Sequence, residues 1–126
     1  MKLRVRGNSS RLRLTRSETI RFGETGLVEE VIEFGGESKL IYALESSAEA
    51  DSVKAEFNEN RVVVIVPQSE AENWANSNEV GIEAEQNIGD NKTLRLLIEK
   101  DFACPEPRES EDDADAFPHP AGNTKC

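Results

Sequence analysis

The residues best suited to chemistry lie at the start of the chain, in KLRVRGNSSRLRL (residues 2–14). Lys2, Arg4, Arg6, Arg11 and Arg13 alternate with Leu3, Val5, Leu12 and Leu14, and Gly7-Asn8-Ser9-Ser10 separates the two runs. Alternation around turn-forming residues predicts a β-hairpin with one apolar and one cationic face. At about 3.3 Å per residue the ribbon would be roughly 20 Å long. Guanidinium forks match phosphate oxygens, and a two-stranded ribbon fits a DNA major groove. Contacts to about five phosphates would give a log–log salt slope near −4.5. Arg16 extends the set, so the expected nucleic-acid-binding residues are Lys2, Arg4, Arg6, Arg11, Arg13 and Arg16. The competing expectation is a protein-only interaction or structural module. Its arginines would pair with glutamates such as Glu29, Glu30 and Glu33.

Catalysis has little to draw on. His119 is the single histidine, so a histidine-based triad or general base would depend on it alone. Cys104, Asp112, Asp113 and His119 have no zinc-site spacing, and neither a P-loop nor GxGxxG is present. The expectation is a binding protein without enzymatic activity, metal, cofactor or small-molecule substrate.

The 126 residues carry a formal net charge of −10, with 37% hydrophobic and 32% charged residues. That length can bury one modest core. The acidity argues against non-specific nucleic-acid binding by the whole surface. The charge is uneven, however: residues 1–26 hold seven basic and two acidic side chains, net +5, leaving −15 for the rest. At a Debye length of about 8 Å, distant acids are largely screened. The two cysteines form no CxxC, the N-terminus lacks an apolar signal-peptide core, and the longest apolar run, Val62–Val66, is far short of the roughly 20 residues that span a bilayer. The expected location is the cytoplasm, with no membrane partner.

The elements that would position the basic ribbon follow in order. Thr15 with Glu18 resembles a capping box, so a helix should run from about Arg16 to Thr25-Gly26, with Thr19, Phe22 and Gly23 inward. Leu27–Phe34 and Lys39–Glu45 predict a second hairpin, and Ser46–Asp51 a boundary loop. The pattern then restarts. Ser52–Phe57 and Arg61–Val66 form a hairpin, and Glu70–Asn76 a short helix with Ser69 and Glu72 as its cap. Glu79–Gln86 and Thr93–Lys100 are the last strands.

The halves align with an offset of 52. Leu3 falls on Ala55, Asn8 on Asn60, Leu14 on Val66, Phe22 on Trp74 and Val28 on Val80. A second hairpin turn two residues longer would raise the offset to 54, setting Leu40, Tyr42, Leu44 and Glu45 on Leu94, Leu96, Ile98 and Glu99. The expected fold is α+β and β-rich: two tandem ββαββ units (2–45 and 53–100), about eight strands and two short helices, packed as one pseudo-twofold domain over 1–100. A short unit cannot bury its apolar face alone, so the copies should pack together. The second hairpin of this type has only Lys54 and Arg61, with Val63 and Ile65 outward. Those two should be covered by protein.

This arrangement resembles the swapped-hairpin proteins of the AbrB-like and MazE antitoxin-like family. Gly7-Asn8-Ser9 matches their Gly-Asn-Ser, and Pro67 stands where the family has Pro before the helix; Thr15 holds that place in the first copy. The resemblance implies interleaved hairpins around a shared core and DNA contact through basic hairpin residues. One chain would then do what two subunits do. The MKLRxRGNS opening and acidic, proline-punctuated end also resemble a small uncharacterised bacterial family. The tail, 101–126, has seven acidic and two basic residues with four prolines. It should have little structure of its own, and either masks the basic hairpin or binds a protein partner.

Overall fold

The computed structural model describes residues 1–102 and 117, so the expectations for the tail lie almost wholly outside the described residues. The element order is β1 (Lys2–Arg6), β2 (Ser9–Leu14), α1 (Arg16–Thr25), β3 (Leu27–Gly35), β4 (Ser38–Ser47), β5 (Lys54–Asn58), β6 (Arg61–Pro67), α2 (Gln68–Ala75), β7 (Gly81–Gly89) and β8 (Lys92–Lys100). The fold is α+β and β-rich, with eight strands, two helices and two similar ββαββ units.

The units exchange hairpins. The first sheet has the order β1-β2-β8-β7 and the second β3-β4-β6-β5. Each therefore joins the first hairpin of one copy to the second hairpin of the other. The joints are parallel, Ser9 beside Arg95 through Leu14 beside Lys100, and Ile41 beside Arg61 through Ser47 beside Pro67. Offsets of 52 and 54 convert one register into the other without a slip. The same holds for single hydrogen bonds. The Arg95 N–H donates to the Asn8 carbonyl at 3.1 Å, and the Ile41 N–H to the Asn60 carbonyl at 2.9 Å. Neither unit closes its own sheet, because each hairpin lacks neighbours until the other copy supplies them.

Local chemistry sets the elements. Gly7, at φ +54°, opens the two-residue turn of the first hairpin, while Glu59 and Asn60 adopt φ +51° and +63° in its counterpart. Both are tight hairpin turns whose twist suits the strands. Ser9 and Ser10, expected in the turn, belong to β2. The Thr15–Glu18 capping box is complete: the Glu18 N–H donates to the Thr15 hydroxyl, and the Thr15 N–H to the Glu18 carboxylate at 2.9 Å. The expected cap at Ser69 does not form. Pro67 is the N-cap, at the position matching Thr15, and Ser69 lies inside α2. Proline presets the chain's entry to a helix, and no side-chain cap is made there.

Two boundaries also move. β4 runs through Ser46 and Ser47, because Val66 and Pro67 pair with them. The extra residues of the second copy lie between α2 and β7, not in the last hairpin turn. Gly35 pairs with Ser38 and Gly89 with Lys92, so those turns are equally long. Val28 consequently corresponds to buried Ile82, whereas Val80 is exposed.

One apolar cluster joins both copies: Leu12, Leu14, Phe22, Val28 and Leu44 from the first, and Val64, Val66, Trp74, Ile82 and Ile98 from the second. The Phe22 and Trp74 rings meet edge to face at 6.1 Å between centroids. The Trp74 Nε1–H donates to the Val80 carbonyl at 3.3 Å. Burying each such large side chain contributes about 1.5–3 kcal/mol. Thr19 and Phe22 face inward as expected. Val5 does not, being 67% exposed near its hairpin turn, as is Phe57 at the matching site, 70% exposed. Strand alternation assigns a face, and the core ends before the hairpin tips. Val63, outward on β6, is nevertheless buried. Ile65 is half-buried.

Candidate nucleic-acid interface

Cross-strand pairing sets side chains in rows on the outer face of the first sheet. One row is Lys2, Arg13, Glu99 and Gly81; the next is Arg4, Arg11, Leu97 and Glu83; the third is Arg6, Ser9, Arg95 and Glu85. Each row starts among the cations of β1–β2 and ends at β7, where two rows carry a carboxylate. A cleft of about 720 Å³ lies here, lined by Arg4, Arg6, Arg11 and Arg95 and, on its far side, Glu83 and Glu85.

Five of the six expected basic residues are thereby brought together. Arg16 is not: β2 ends at Leu14, and Arg16 opens α1 outside the three rows. The ribbon is not free-standing either. β8 is hydrogen-bonded along the other edge of β2, so the hairpin is half of a four-stranded surface and does not enter a groove as an isolated ribbon.

For Arg13, Arg11 and Lys2 the partners differ from the glutamates expected. Arg13 donates through Nε and Nη2 to one Glu99 oxygen, at 3.0 and 2.7 Å. Arg11 approaches the same oxygen at 3.5 Å, and Lys2 lies 3.5 Å from Asp101. Glu29 instead accepts from Arg61 at 3.2 Å, and Glu30 from the Met1 amino group at 2.7 Å. Both glutamates belong to the other sheet, where the hairpin exchange has carried them. Arg95, Glu83, Glu85 and Glu99 were not singled out by sequence. The parallel β2–β8 pairing brings them in, and the only local signal was the match of Thr93–Lys100 to β4.

The start of β1 is fixed from below. The Met1 amino group donates to Glu18 as well as Glu30, and the Tyr42 hydroxyl donates to the Met1 carbonyl at 2.9 Å. Burial alone would lower the amino group's pKa, but bonds and charge attraction from Glu18 and Glu30 raise it above 8.0. Burial alone would raise that of Glu18, but donation from the amino group and from Thr15 holds it below 4.5. Burial, then the charges of Glu30 and Glu18, raises the Tyr42 hydroxyl above 10.0. This cluster anchors the residue that precedes the strand presenting Lys2, Arg4 and Arg6.

On the far edge of the fold, the Gln86 side chain receives the Ala55 N–H at 2.7 Å and donates to the Ala55 carbonyl at 3.2 Å, tying edge strand β5 to β7. Such occupation blunts an otherwise open edge.

A family model matches residues 1–121, nearly the whole length. The chain belongs to DUF7009, a family of unknown function. No curated protein and no solved structure gives a match. Within this DUF7009 chain, no group of three or more metal-ligating His, Cys, Asp or Glu occurs among the described residues; Cys104, Asp112, Asp113 and His119 lie outside them. No described helix is long and apolar enough to cross a membrane.

Proposed function

We propose that this chain is a small DNA-binding regulator of AbrB/MazE-like character, acting by binding without catalysis, and that the outer face of the first sheet is its binding surface. The observation that carries the reading is the convergence of Lys2, Arg4, Arg6, Arg11 and Arg13 with Arg95 on one surface. Exchanged hairpins around one core support the likeness in architecture. Guanidinium groups on a rigid sheet offer phosphate oxygens bidentate contacts at little further cost in side-chain order.

A protein-only module is the second reading, favoured by carboxylates already set against these cations: Glu99 engages Arg13 and approaches Arg11, Asp101 lies 3.5 Å from Lys2, and Glu85 lies 4.0 Å from Arg95. Fluorescence anisotropy of a labelled duplex at two salt concentrations separates them. Binding that weakens steeply with salt, and is lost in Arg4→Gln/Arg6→Gln with an unchanged circular-dichroism spectrum, supports nucleic acid. No binding at low salt supports the protein-only module.

A further inference from the structure

The two outer sheet faces occupy equivalent places in the pseudo-twofold fold, yet their chemistry diverges. In its three central rows the first face holds six cations, Lys2, Arg4, Arg6, Arg11, Arg13 and Arg95, against three carboxylates, Glu83, Glu85 and Glu99. At the matching positions the second face holds two cations, Lys54 and Arg61, against Glu29, Glu45 and Glu56. Arg4 is replaced by Glu56, Arg11 by Val63, Arg13 by Ile65 and Arg95 by Ile41. Both faces hold ion pairs, Arg13–Glu99 at 2.7 Å and Arg95–Glu85 at 4.0 Å on the first and Arg61–Glu29 at 3.2 Å on the second, so the contrast lies in the number of cations. An architecture built from two copies thus carries one face rich in cations.

Charge placement on that surface also fixes a direction. β7 lies three strand spacings from β1, about 14 Å, which is beyond the Debye length of about 8 Å. Glu83 and Glu85 therefore stand at the far side of the cleft from β1, and repel a phosphate that crosses towards them. A backbone running along β1–β2 meets cations about every 6.8 Å and avoids those acids. None of the twelve residues in the three rows is aromatic. Single-strand binding of mixed sequence relies on aromatic side chains for stacking, whereas duplex backbone contact does not.

We infer that one chain binds one duplex asymmetrically, its phosphate backbone lying along β1–β2, with no contribution from the second sheet and no need for a twofold-symmetric site. This rests on the nucleic-acid reading above.

The test uses the full chain and labelled mixed-sequence oligonucleotides, a 20-base-pair duplex lacking any inverted repeat and a single strand of equal length. Arg4→Gln/Arg6→Gln should weaken duplex binding by about tenfold or more and make the salt slope shallower by about 1.8. Lys54→Gln/Arg61→Gln should change affinity by less than about twofold, and duplex should outcompete single strand. Equal losses from the two double variants, or equal affinity for single strand, would overturn the inference while leaving nucleic-acid binding intact. Absence of duplex binding by the native chain at low salt would overturn both.

Discussion

Gly23 and Ala75 hold equivalent positions on α1 and α2 and face one another where the helices meet, so that a Cβ on Gly23 would lie 3.0 Å from the Ala75 Cβ. Beside them Phe22 and Trp74, also equivalent, make the ring contact. Close helix approach and the aromatic pair are therefore one feature: a small residue lets the helices come near enough for the rings to interlock. A larger side chain at 23 must push the helices apart. Gly23→Leu should destabilise the chain by about 1–3 kcal/mol through overpacking, read as a lower urea midpoint. Gly23→Ala should be much milder, because gained helix propensity of about 1 kcal/mol offsets a shift of a few tenths of an ångström. An unchanged midpoint for Gly23→Leu would mean the helices do not meet there.

Stability should vary with pH at both ends of the range through the Met1–Glu18 pair. Glu18 has a pKa held below 4.5, so its contribution is present above the unfolded value and is lost as pH falls through the lowered folded value. The amino group lies above 8.0, so its contribution is complete below the unfolded value and is lost as pH rises through the raised one. The stability difference between the native chain and Glu18→Gln should be constant from about pH 5 to 8 and shrink on either side. Urea titrations across pH measure it; a difference that does not vary with pH would contradict the pairing.

Glu99 stands between folding and binding. It accepts from Arg13 at 2.7 Å and is only 17% exposed, so Glu99→Gln should cost about 1–2 kcal/mol of stability. The same substitution removes one negative charge from the face and loosens Arg13, which should tighten duplex binding several-fold at low salt. Calorimetric melting and anisotropy on one preparation check both signs. Weaker binding with an intact fold would mean that Glu99 orients the arginines for their ligand.

Short-range chemistry was readable in the sequence. Thr15 and Glu18 sit three apart and cap α1, and Gly7-Asn8 between alternating runs gives a hairpin. Phe22 and Trp74 were recognisable as core residues from their matching places in the two copies. What remained hidden depends on distance along the chain. Arg13 and Glu99 are 86 residues apart, and nothing local distinguishes Glu99 from Glu29 or Glu33 as a partner; only the parallel β2–β8 register does. Ser69 looked like a cap because its spacing to Glu72 is right, but Pro67 had already fixed the helix start. The misplaced insertion has a similar cause. Val28 and Val80 match by residue type, whereas buried Ile82 shows that the core, rather than identity, sets the alignment.

The most direct test of the central claim, a single cationic binding face on a doubled fold, is amide chemical-shift mapping of the full chain titrated with a short DNA duplex. Perturbations are expected along Lys2–Leu14 and around Arg95, saturating at one chain per site, with Arg61, Val63 and Ile65 unmoved. Perturbations centred on β3–β6, or none at low salt, would contradict it.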